Sequence, residues 1–100
     1  MSYRLTGEAQ RDLISIRDYT LKNWGSKQSK DYLARLRTVL IRLAEMPTMG
    51  QNRTEEFDEE IYSFPHVSHM IYYIAEGSDI LILAILHQSQ VPAKHLSQRL

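Results

Sequence analysis

Residues 80–96 read ILILAILHQSQVPAKHL, from Ile80 to Leu96, and this stretch decides the fold. Ile80 to Leu86 is an unbroken apolar run of strand length. A run without alternation fits a strand covered on both faces. It predicts a central strand with a neighbour on each side. The pattern breaks at His87, where the polar turn Gln88-Ser89-Gln90 begins. Pro92 is then placed to open one helical turn, and the pair His95-Leu96 lies in that tail.

Upstream, Ser68 to Ala75 is rich in Ile and Tyr and predicts a strand. Tyr72 and Tyr73 point to opposite faces of it, so at most one belongs in a core. Glu76-Gly77-Ser78-Asp79 reads as a four-residue hairpin loop into the central strand. Ile61 to Phe64 alternates and predicts a third strand, closed by Pro65. Near the start, Tyr3-Arg4-Leu5 predicts a short strand that returns beside the central one.

Two helices fill the space between. Thr6 is a helix N-cap and Glu8 suits the first turn. Ala9, Leu13, Ile16, Thr20 and Trp24 then recur at helical spacing until Gly25 stops the helix. Ser26 reads as the cap of a second helix, with Leu33, Leu36, Val39, Leu40, Leu43 and Ala44 on its apolar side and an end before Pro47. So short a connection predicts an antiparallel helical hairpin. Residues 47–53 read as a loop, and Glu55, Glu56, Asp58, Glu59 and Glu60 as a solvated acidic segment around Phe57. The fold class expected is α+β, one two-layer domain over residues 1–100. Its order is an N-terminal strand, the helical hairpin and a three-stranded antiparallel meander.

Formal charge is zero, with 12 basic and 12 acidic residues, but it is distributed unevenly. Residues 1–54 hold ten Lys/Arg and five Asp/Glu; residues 55–100 hold two and seven. Either this is a solvated surface or the helices offer a basic face to an acidic partner. There is no cysteine, which excludes disulfides and thiolate metal sites. The start MSYRLTGEAQRDL lacks the apolar core of a signal peptide, and the longest apolar run is far short of a membrane span. A cytoplasmic protein without a membrane role is expected.

The residues carry no familiar catalytic pattern. His66, His69, His87 and His95 lack metal-ligand spacing, so no metal or cofactor is expected. No serine sits in a nucleophile elbow, and Gly7, Gly25, Gly50 and Gly77 are isolated, which leaves no phosphate-cradling loop. His87 and His95 remain as candidates for acid–base work or as a strand cap bonded to backbone. Trp24 is either a core anchor or a binding residue.

Several spacings together resemble a known family. They are A-x-x-D-L-x-x-I-x-x-Y at Ala9, Asp12, Leu13, Ile16 and Tyr19, and W-G at Trp24-Gly25. L-A-x-x-P-x-x-G follows at Leu43, Ala44, Pro47 and Gly50. The most specific are S-H-x-I-Y-Y at Ser68–Tyr73 and I-L-H-x-x-x-x-P-x-x-H-L from Ile85 to Leu96. The chain resembles the RelE/ParE superfamily of bacterial toxins and, within it, the ParE branch. Val91 departs from the usual form of the last spacing, which has an acid before its proline.

The resemblance implies a type II toxin–antitoxin system. It implies a toxin that inhibits DNA gyrase by protein contact, without catalysis of its own. A ParD-like antitoxin would neutralise it in a hetero-oligomer, and DNA would be met only indirectly through that complex. The antitoxin is expected to cover apolar residues that the core does not use, with Tyr19, Trp24 and Tyr62 as candidates. The target surface is expected at His87, Lys94, His95 and Arg99. Two alternatives stay open. One is an RNA-cleaving RelE-like toxin, with His87 and His95 as acid and base and Arg35, Arg42 and Arg53 on phosphate. Against it, no Lys or Arg occurs between Arg53 and Lys94 to offset phosphate charge, and no tyrosine follows Tyr73. The other is a non-toxic module that only binds the antitoxin.

Overall fold

A computed structural model describes residues 2–99. In chain order it contains β1 (Tyr3–Leu5), α1 (Gly7–Trp24), α2 (Ser26–Glu45), a 3-10 turn (Pro47–Met49) and β2 (Gln51–Asn52). These are followed by α3 (Thr54–Phe57), β3 (Tyr62–His66), β4 (His69–Glu76), β5 (Asp79–His87) and α4 (Pro92–Arg99). One sheet holds all five strands in the order β1-β5-β4-β3-β2. The apolar run is its central part: β5 lies between β1, parallel to it, and β4, antiparallel. The short first strand does return beside the last.

Both faces of β5 are buried. Ile80, Ile82 and Ile85 join the main core under the hairpin, with Ala9, Ile16, Leu36, Leu40, Leu43 and Tyr73. Leu83, Ala84 and Leu86 join a second cluster on the far face, with Ile61, Tyr72 and Leu96. The faces exchange parity at a bulge. Pairing passes from Tyr72↔Ala84 to Tyr73↔Ile82, so Leu83 is an extra residue on β5. Tyr72 and Tyr73 do face opposite ways, but both are buried, because α4 and the segment around Phe57 cover the far face.

The hairpin forms as its periodicity requires. Thr6 Oγ1 accepts from the Ala9 N–H at 3.1 Å. Ser26 is not a cap: it is already the first helical residue, and no side chain caps α2. Gly25 serves both helices at φ +89°, a value that favours glycine. Its N–H donates to Leu21 O, and its C=O accepts from Ser29 N–H, both at 3.1 Å. Beside this turn, the buried Thr20 and Ser29 hydroxyls meet at 2.7 Å and close the hairpin.

Other differences have local causes. Pro65 lies inside β3, opposite Met70. It is tolerated because β2 pairs only with Tyr62 and Ser63, which leaves Pro65 on an open edge. The hairpin into β5 is tighter than read, since Glu76 and Asp79 already pair across Gly77-Ser78. The segment after Pro47 adds a fifth, edge strand, and part of the acidic segment forms α3. The tail is an eight-residue helix rather than a single turn.

Gly50 has a packing reason. The Tyr73 phenol donates to Pro47 O at 2.7 Å, and a Cβ on residue 50 would run into that ring. Gly50→Ala is expected to cost about 2 kcal/mol through this overlap. Urea unfolding at pH 7 checks it; a loss well under about 0.5 kcal/mol would mean that the ring gives way freely.

Candidate functional site

The site is built where β1 stops. Thr6 N–H donates to Ile82 O at 3.1 Å, and past that point β5 has no strand beside it on this edge. Side chains satisfy the backbone there instead. Asp12, on α1, accepts from Ile85 N–H at 3.0 Å. Arg99, on α4, donates to Asp12 Oδ2 at 2.8 Å, to Asp12 Oδ1 at 3.3 Å and to Leu83 O at 3.0 Å. The two side chains are only 13% and 16% exposed. Bidentate, charge-assisted bonds of this kind are the strong ones. They fasten α4 to the edge while Leu96, fully buried, fastens it to the far face.

His87 ends β5 and closes its own turn. Its N–H donates to Gln90 Oε1 at 2.8 Å, and its Nδ1 accepts from Ser89 N–H at 3.1 Å. Gln90 also reaches towards His95, 3.5 Å between Nε2 atoms. Of the four residues expected at a target surface, His87, Lys94 and His95 gather at this rim, with Lys94 exposed. Arg99 departs from that expectation: its guanidinium is turned inward and spent on Asp12.

Between α1 and the end of β4–β5 lies an open groove of about 410 Å³. Asp12, Ser15, Tyr19, His69, His87 and Gln90 line much of it. Tyr32 of α2 stands behind His69, with its hydroxyl 2.6 Å from Nδ1. Burial holds His69 down at about 4, helped by the neighbouring His87 and His66, so its ring is uncharged at neutral pH. Burial also pushes the Tyr32 phenol up. Among the described residues no Lys or Arg lines this groove. Among the described residues no cluster of three His, Cys, Asp or Glu is arranged to hold a metal ion.

The cations of the RNA-cleaving alternative do not line this groove, although Arg53 shares a separate cavity with His69 and His87. Arg35 and Arg42 are exposed on α2. Arg53 lies on the far face, bonded to Glu56 and to Ser63 at 3.0 Å, with its guanidinium over Phe57 and Tyr72.

The hairpin presents apolar surface. Tyr19 is 55% exposed and Trp24 47%, edge to face at 6.0 Å between centroids. Trp24 is therefore no core anchor; its ring lies past the hairpin's closing pair, and Thr20 takes the last buried place in the stripe. Ile14 and Leu21 are exposed on the same helix. Tyr62 is placed differently from the other two candidates. It is half-buried and stacks on Tyr73 at 5.7 Å, so the core does use it.

Sequence reading singled out neither Asp12 with Arg99 as a pair nor Tyr32 with His69. Asp12 was visible only as a spacing, and its partner lies 87 positions away. Arg99→Ala is expected to leave Asp12 and Leu83 O short of partners and to cost about 3 kcal/mol, the low end for breaking a buried pair. Thermal unfolding with circular dichroism checks it; an unchanged midpoint would mean that the pair does not hold α4.

Comparison with known proteins places the chain. A family model described as "ParE toxin of type II toxin-antitoxin system, parDE" matches residues 3–92. The chain is 34% identical to Toxin ParE1 of Caulobacter vibrioides over 94 residues, 94% of this chain and 96% of that one. It is 30% identical to Toxin ParE of Escherichia coli over 99 residues, 99% and 96% of the two. A solved chain from "Chromosomal ParDE TA system from P. aeruginosa" superposes with a TM-score of 0.73, covering 87% of this chain and 95% of that one. At 20% identity that likeness speaks to the fold. With the fold, the spacings and the family model in agreement over nearly the whole length, the chain belongs to the ParE toxin family of type II toxin–antitoxin systems.

Proposed function

We propose that this chain arrests growth by binding DNA gyrase, protein to protein, and that a ParD-like antitoxin neutralises it. The observation that carries the reading is the family match over residues 3–92. The site geometry supports action by contact. Burial keeps the His69 ring in its groove uncharged, and among the described residues no Lys or Arg lines that groove to offset a cleaved phosphate, the Arg99 guanidinium behind it being spent on Asp12. The contact surface assigned to gyrase is the rim of α4 and the His87 turn, with Lys94 and His95 outward. Arg99 serves it from behind, by holding α4 in place.

The antitoxin surface is assigned to the hairpin. Tyr19 and Trp24 are large, exposed and close together, the kind of aromatic anchors that dominate interfaces. Elsewhere on the hairpin a mainly apolar groove of about 290 Å³ runs between α1 and α2, with Leu13, Ile14, Leu33 and Leu40 in its lining and Arg17 and Arg37 at hand. A segment that orders on binding suits such a groove. Tyr62 contributes through the core it packs into rather than as a free anchor.

A supercoiling assay with purified gyrase tests the target. Folded protein, freed of antitoxin, is expected to block supercoiling and leave cleaved plasmid trapped on the enzyme. Lys94→Glu, on an exposed side chain, is expected to weaken this tenfold or more without loss of fold. Full supercoiling in the presence of folded wild-type protein would contradict the reading.

Trp24→Ala tests the other surface. It is expected to weaken antitoxin binding by about 2 kcal/mol or more and to leave gyrase inhibition unchanged. Titration calorimetry with the antitoxin reads the first effect; equal affinity for variant and wild type would move the antitoxin off this face.

A further inference from the structure

Three of the chain's four histidines stand in one row across the sheet. His66 on β3 pairs directly with His69 on β4, and His69 pairs directly with His87 on β5. Directly paired residues project on the same face, here the face under the hairpin. His69 and His87 rings lie 5.4 Å apart between centroids. Tyr32 of α2 covers the row, 5.2 Å from the His66 ring and 5.7 Å from the His69 ring. Its hydroxyl lies 2.6 Å from His69 Nδ1 and 3.4 Å from His66 O.

We propose that this row is an acid-sensitive fastener: uncharged, it holds α2 to the strand ends through Tyr32, and charged, it lets go.

The groups around the row give a proton little support. From α2 come Tyr32, a phenol, and Arg35, whose charge acts on His66 in the unfavourable direction. From β3 and β5 come the other imidazoles. From α1 come Tyr19 at the groove wall and Asp12, the one acid that favours charge on His69. Asp12 is already committed to Arg99 and the Ile85 N–H. Arg53, on the far face, is held by Glu56. His66 Nε2 is buried without a hydrogen-bond partner, so a proton there would bury an unpaired N–H. Like charges directly opposite on neighbouring strands repel. Swinging a charged ring out to water relieves all of this, and it breaks the contact with Tyr32.

The sign follows from the direction of the shift. His69 binds its proton less readily folded, at about 4, than at the ordinary value of 6.5. The unfolded chain therefore takes up the proton first as pH falls. The stabilisation is complete above about pH 6.5 and is lost as pH falls towards about 4. For one such group the unfolding constant rises by up to about tenfold per pH unit across that window.

The full chain carries its own reporter, since Trp24 is the single tryptophan and lies 6.3 Å from Tyr32. Urea unfolding followed by Trp24 fluorescence, from pH 7.5 down to 4.5, is expected to show this steep loss in the wild type. His69→Gln, which cannot take up a proton, is expected to remove most of the slope. An NMR titration of the wild-type imidazoles reads the same point without relying on the variant. His69 staying uncharged well below pH 6, and losing its contact with Tyr32 when it finally charges, supports the fastener. A flat wild-type profile, the same slope in His69→Gln, or a His69 that titrates at its ordinary value would overturn it.

Discussion

A strand that is apolar on both faces needs cover on two sides, and its backbone needs partners on two edges. β5 imposes both demands on a chain of 100 residues. The helical hairpin meets the first on one face. On the other, α4 contributes Leu96, and Ile61 and Tyr72 complete the cluster. The edge demand is harder. β4 serves one side of β5, but β1 reaches only to Ile82 on the other. Past it a carboxylate from α1 and a guanidinium from α4 complete the edge at Leu83 and Ile85. The polar closure of a backbone edge thus sets where the last helix sits.

That dependence explains which parts of the molecule were legible in the sequence. Apolar periodicity is a local signal, so α1, α2, β4 and β5 could be read directly, as could the need for a second neighbour to β5. Elements held by a few long-range contacts left no such trace. α4 owes its length to one buried leucine and one ion pair, and β2 to two paired residues at a sheet edge. Ser26 looked like a cap because caps are recognised by residue type, whereas Gly25 does the work by conformation. Pro65 looked like a stop because the open edge beside it is a property of the sheet.

The candidate site divides in the same way. His87, Lys94 and His95 share a rim because they are near neighbours around one turn, and sequence proximity was enough to group them. Arg99 belonged to the same stretch but faces the other way, since helix phase and a buried acid decided its direction. The histidine row was not legible at all. It depends on a two-residue turn at Val67-Ser68 and on the register of β4 with β5, neither of which is visible until the strands are paired. Trp24 was the converse case: its spacing continued the core stripe, but Thr20 is the last buried residue of that stripe and the indole beyond it stands exposed.

In this account the surface assigned to gyrase is only as firm as the edge that holds it. Hydrogen exchange at the Ile85 amide tests that most directly, because its partner is the Asp12 carboxylate rather than a neighbouring strand. If the clasp closes the edge, Ile85 exchanges as slowly as the amides of β4 in the wild type, and much faster in Arg99→Ala. If Ile85 exchanges rapidly in the wild type, the edge is open, and α4 is not held by the means described.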